Sequence, residues 1–167
     1  DAVSQAAFPS FANLFKLGDL SSLMSQYKKL QNLVCLMTIP ILAFIIFFTI
    51  PLFTFIFNLE IAKMLLLPLV FLSIGFYMHS TITVPYFFSL AVGKPEITVK
   101  ANFFALFFVL PVTVLFIYFW GLLGAGFSWI FYHLFIYSYA MKKICSECIK
   151  ISIKKWYLPI KKIMLLA

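Results

Sequence analysis

Charge is what this sequence has least of. Arginine does not occur, Asp and Glu together number five, and charged residues make up 11% of the 167, where a soluble domain carries about 25%. Hydrophobic residues reach 64%, so a water-soluble fold of this size would lack the polar surface to cover itself. No charged side chain occurs from Leu30 to Leu59, from Met64 to Gly93 or from Ala101 to Met141. These runs are contiguous rather than periodic, which separates membrane spans from the amphipathic elements of a soluble core. Cysteine is scarce as well. Cys35, Cys145 and Cys148 cannot form an even-numbered disulfide framework, and Cys145-Ser146-Glu147-Cys148 has neither the second ligand pair nor the thioredoxin-like context that zinc or redox chemistry needs.

A spanning helix needs about 20 apolar residues. Each of the first two uncharged runs holds one span, and the third is long enough for two, with Gly121-Leu122-Leu123-Gly124-Ala125-Gly126 as a turn. The expected fold class is therefore all-α: a polytopic transmembrane bundle with four spans, near 33–57, 64–91, 101–119 and 124–141. Pro40, Pro51, Pro68, Pro85 and Pro111 fall in or near these spans, where each removes a helical N–H and bends the helix.

All thirteen positive charges are lysines. If the segment before the first span is cytoplasmic, alternation leaves only Lys63 outside, the asymmetry that the positive-inside rule describes. Both ends of the segment are then cytoplasmic. Residues 1–29 read as the end of a preceding helix, turns at Pro9-Ser10 and Gly18-Asp19, and a short helix on the membrane surface capped by Asp19 or Ser21. Residues 142–167, with Lys142-Lys143, Trp156-Tyr157 and Lys161-Lys162, suit an anionic headgroup layer. That juxtamembrane position argues against nucleic acid as the partner of the basic tail. The opening at Asp1 carries no signal-peptide pattern, and the expectation is a fragment of a larger chain.

Catalysis needs a nucleophile, a base or metal ligands that converge. The spans hold no carboxylate, and their ionisable groups are essentially His79 and His133, with Cys35 near an end. No enzyme activity, metal or cofactor is expected. A histidine at membrane depth must face protein or water, so His79 is a candidate for lining a substrate cavity, with Thr83 and Tyr86 on the same helical face and Asn102 at the start of the third span. An interhelical hydrogen bond is the plainer role for His79. His133, behind Trp129 and Tyr132, reads as part of an aromatic interface.

Several segments carry a resemblance. Ala2-Val3-Ser4 through Phe8-Pro9-Ser10-Phe11, the Leu17-Gly18-Asp19 turn, Tyr27-Lys28-Lys29, Pro85-Tyr86 and Leu90-Ala91-Val92-Gly93-Lys94 occur in an order that is repeated in one family. Asn102, Pro111 and the Gly121–Gly126 turn with Trp129 extend it to about residues 2–141. Together they resemble the C-terminal part of polysaccharide biosynthesis membrane proteins, the O-antigen and lipid-linked oligosaccharide flippases of the multidrug/oligosaccharidyl-lipid/polysaccharide exporter superfamily. The resemblance implies part of the C-terminal lobe of a MATE-like flippase in a bacterial inner membrane. It would carry undecaprenyl-diphosphate-linked glycan by alternating access, together with the remaining transmembrane helices and with a polysaccharide polymerase as a candidate partner. These spans contain no cation for the diphosphate, so that role would belong to the other helices. A drug or cation exporter of the same superfamily and a non-transport membrane scaffold are the alternatives.

Overall fold

A computed structural model of the chain describes residues 2–166, with side chains through position 161. Among the described residues the fold is all helix and turn. Seven helices follow one another: α1 (Ala2–Lys16), α2 (Leu20–Ile56), α3 (Leu59–Ala91), α4 (Glu96–Trp120), α5 (Leu122–Ile136), α6 (Lys142–Ile144) and α7 (Ile153–Leu166). Two π-helical turns, Tyr137–Met141 and Cys145–Ile149, flank α6, so the backbone stays helical from Leu122 to Ile149. Three helices, α2, α3 and α4, are long and apolar enough to cross a membrane, and the chain is membrane-embedded on that ground.

Local chemistry starts these helices. The Asp19 carboxylate accepts from the Ser22 N–H at 3.0 Å and the Ser21 hydroxyl at 2.9 Å, capping α2. Asn58 caps α3 by accepting from the Ile61 N–H at 2.9 Å. Between α4 and α5 the chain reverses at Gly121, whose φ of +55° a side chain would strain.

Helix continuity differs from the reading of the sequence in three places. Pro9 lies inside α1 rather than in a turn, and Leu20 through Lys29 form the first part of the 37-residue α2 rather than a separate surface helix. The reason is tertiary. Phe11 of α1 and Leu23 and Tyr27 of α2 are buried in one core with Phe88 of α3, and packing of this kind overrides a local breaker. Residues 142–149 likewise continue the helical column instead of lying apart, with Ile144, Cys145 and Ile149 buried.

Helix α3 packs against both α2 and α5, and α4 packs on α5. Small residues allow the α3–α5 approach. A Cβ at Gly126 would come within 3.0 Å of the Pro68 carbonyl oxygen and Phe71 Cβ, and one at Gly75 would overlap the Trp129 ring. The densest packing lies at one end of the bundle. There Phe88 meets Phe11 at 5.7 Å and Tyr27 at 5.0 Å between ring centroids, and Trp156 of α7 donates from Nε1 to the Tyr27 hydroxyl at 2.9 Å. Lys94, in the α3–α4 link, pairs with Glu147 at 3.0 Å, and this hydrogen bond holds the ammonium above its ordinary pKa. Phe11 of α1, Trp156 of α7 and the α3–α4 link thus meet at one end, whereas Phe47, Phe48, Phe103, Phe107 and Phe108 stand exposed along α2 and α4, as lipid-facing side chains would.

Candidate functional site

The cavity beside α5 follows from the face that α3 turns toward it. His79, Thr83 and Tyr86 stand zero, four and seven residues along, which places them on one side of a 3.6-residue helix. His79 lies twelve residues before the end of α3 at Ala91, or about 18 Å of rise from that end. Thr83 returns its hydroxyl proton to the His79 carbonyl at 3.0 Å.

A cavity of about 310 Å³ is lined by His79, Ile82, Thr83, Tyr86 and Phe87 of α3, by Thr98, Ala101 and Asn102 of α4, and by the helical column that begins with α5. Tyr132, His133, Ile136, Ala140 and Ile144 line it from that column. The volume sits at the lower end of the roughly 300–1,000 Å³ usual for small-molecule sites. His79, Thr83, Tyr86 and Asn102, the four residues singled out in the sequence, all border this one space. No Lys, Asp or Glu does. The lining is apolar with a few neutral hydrogen-bonding groups.

Those groups are organised. The Tyr132 hydroxyl donates to Asn102 Oδ1 at 3.0 Å across α4 and α5, which leaves the Asn102 amide N–H groups as the donors of that pair. Trp129 and Tyr132 lie nearly parallel, with centroids 5.7 Å apart. The His79 ring stands edge-on to the His133 ring at 5.4 Å. His133 Nδ1 lies 2.7 Å from the Trp129 carbonyl oxygen, while its Nε2 is buried without a hydrogen-bond partner, as is Trp129 Nε1. An unmet buried polar atom costs about 1–3 kcal/mol, so each such atom calls for an explanation.

His133, Tyr132 and Thr98 were not among the site candidates of the sequence. For Tyr132 and His133 the signal is spacing: with Trp129, Ile136 and Ala140 this adjacent pair marks one helical face at intervals of three or four residues, whereas Thr98 carries no such signal. A second, more open groove adjoins the cavity and shares Asn102 and Tyr132 with it; Ala105, Leu106, Val109, Leu110 and Thr113 of α4 complete its lining. A mainly apolar pocket with a few neutral hydrogen-bonding groups therefore adjoins an apolar trough.

Elsewhere, Gln31 of α2 donates to the Thr81 carbonyl at 3.0 Å, and Thr81 and Tyr137 are joined by a hydrogen bond between their hydroxyls. These bonds tie helices together and lie outside the cavity lining. Cys145 is buried and Cys148 half-buried, and both are free thiols. Among the described residues no three His, Cys, Asp or Glu side chains cluster as metal ligands. No family model, curated protein or solved structure matches this chain.

Proposed function

We propose that this chain is part of a membrane transporter that moves a lipid-linked oligosaccharide across the bilayer. The carrying observation is the cavity itself: a space between the last turns of α3, the first turns of α4 and the helical column, bordered by neutral donors and acceptors, free of lysine and carboxylate, and adjoining an apolar groove along α4. A glycan is uncharged and rich in hydroxyls, and its lipid is apolar. The cavity matches the first and the groove the second. Neutral side chains also suit a ligand that must leave again on the far side, since a fixed ion pair would hold it.

In this reading the chain crosses the inner membrane of a bacterium four times, through α2, α3, α4 and the helical column from Leu122, with both ends in the cytoplasm. The column's 28 residues, Leu122 through Ile149, would extend about 42 Å, enough for a crossing. The Lys94–Glu147 pair supports a common side for the α3–α4 link and the end of the column. The other transmembrane helices of the transporter would supply cations for the diphosphate and complete the pathway. On its own, the 167-residue chain is therefore expected to move no labelled lipid-linked glycan after reconstitution.

The test is His79→Leu in the intact transporter. Export of surface glycan is expected to fall about tenfold, the size of one lost hydrogen bond to substrate, with membrane insertion and abundance unchanged. A fall only in proportion to abundance would make His79 a structural residue and remove the cavity's role.

A further inference from the structure

His133 carries more information about the ligand than its neighbours do. The ring is 1% exposed, and its Nδ1 sits 2.7 Å from the Trp129 carbonyl oxygen. A carbonyl oxygen only accepts, so Nδ1 carries a hydrogen. In the neutral imidazole the other nitrogen then holds a lone pair, and no acidic side chain lines the cavity to pair with an imidazolium. Nε2 is thus an acceptor, and it has no partner in the protein.

We propose that His133 Nε2, on a residue that lines the cavity, is the acceptor that selects a hydroxyl of the transported ligand. A hydroxyl offers the hydrogen that a bare acceptor needs. An anionic oxygen has no hydrogen for Nε2. An ammonium group has hydrogens, but the lining supplies no carboxylate to balance its charge. The ligand class is a neutral polyol such as a hexose, entering past the Asn102 amide donors. This inference rests on the reading of the cavity as a substrate site and names the atom that discriminates there.

Hexyl glucoside and its fully O-methylated counterpart separate the possibilities, because methylation removes every hydroxyl hydrogen and keeps the oxygens and the apolar chain. Intact protein labelled with ¹⁵N-histidine, in lipid nanodiscs, is titrated with each. Binding is followed by tryptophan fluorescence, and the Nε2 environment by the His133 ¹⁵N resonance. Hexyl glucoside is expected to shift the Nε2 resonance and the methylated glucoside to leave it in place. His133→Phe should weaken binding of hexyl glucoside about tenfold, while His133→Gln, which restores an acceptor, should recover most of the loss. Equal shifts from both glucosides, or hexyl glucoside binding that is indifferent to His133→Phe and His133→Gln alike, overturn the inference and leave the cavity reading intact. Absence of any hexyl glucoside binding to the wild-type protein overturns both. Because the two glucosides are compared on the wild-type protein, the result stands even if His133→Phe does not fold.

Discussion

A single carboxylate shows how local chemistry acts in this chain. Hydrogen bonds from Ser22, and then from Ser21, hold the Asp19 carboxyl below its ordinary 3.8. The folded-state value is the depressed one, so the cap's contribution is present above about pH 3.8 and is lost as the pH falls through the lower folded value. Amide exchange in the first turn of α2 is expected to quicken over that acid window relative to the apolar middle of the helix, after correction for intrinsic rates. Asp19→Asn, which keeps an acceptor without the charge, should remove the pH dependence. If wild type and Asp19→Asn show the same acid response, the carboxylate is not the group responsible. His79 and His133 differ from Asp19 in kind: the meaning of each depends on a ring contributed by another helix.

At the scale of elements, two contacts decide how the helices sit. Gly75 gives α3 room for the Trp129 ring of α5, and even the single methyl of Gly75→Ala would overlap it. Overpacking of this sort costs about 1–3 kcal/mol. Gly75→Ala is therefore expected to lower the thermal midpoint in detergent and to shift the tryptophan emission, since the ring that must move is Trp129. An unchanged midpoint would mean that α3 and α5 separate at no cost. The second contact is the clasp between α7 and α2. Trp156, 3% exposed, packs on the Tyr137 ring at 5.6 Å and donates to the Tyr27 hydroxyl. Trp156→Phe keeps an aromatic ring and deletes the donor, a loss of about 1 kcal/mol. Amide exchange in α7 should rise about fivefold, while α3 and α4 keep their rates. Equal change in all helices would show the clasp to be part of the global fold, and no change would show it to be idle.

For the whole molecule, the informative feature is where charge collects. The Lys94–Glu147 pair, the Phe11–Phe88 contact and the Trp156–Tyr27 bond bring the α3–α4 link, α1 and α7 to one end of the bundle. Twelve of the thirteen lysines belong to these segments or flank them; Lys63 alone lies near the start of α3. The proposed topology follows from that asymmetry. Single cysteines placed at positions 94–100 should react with a membrane-impermeant maleimide only from the cytoplasmic side, and those at 58–63 only from outside. Labelling of either set from the opposite side would break the four-crossing arrangement.

Lipid as the solvent, three of the four expected long apolar helices, the cap at Asp19 and the turn at Gly121 were legible in the amino-acid order. Each is a sum over neighbouring residues: hydrophobicity over about 20 positions, an acceptor three residues before its N–H, a glycine where φ is positive. The shared helical face of His79, Thr83 and Tyr86 belongs with them, because helix geometry alone sets it. What that face looks at does not. Only the tertiary structure brought His133 beside His79, 54 positions away, joined Tyr132 to Asn102, and kept Pro9 inside α1. The hydrogen on His133 Nδ1 follows from the Trp129 carbonyl one turn back, yet whether Nε2 finds a partner depends on every helix around it. Contacts between distant positions arise from packing free energies that no local window contains, and those contacts turned a polar stripe on one helix into a cavity.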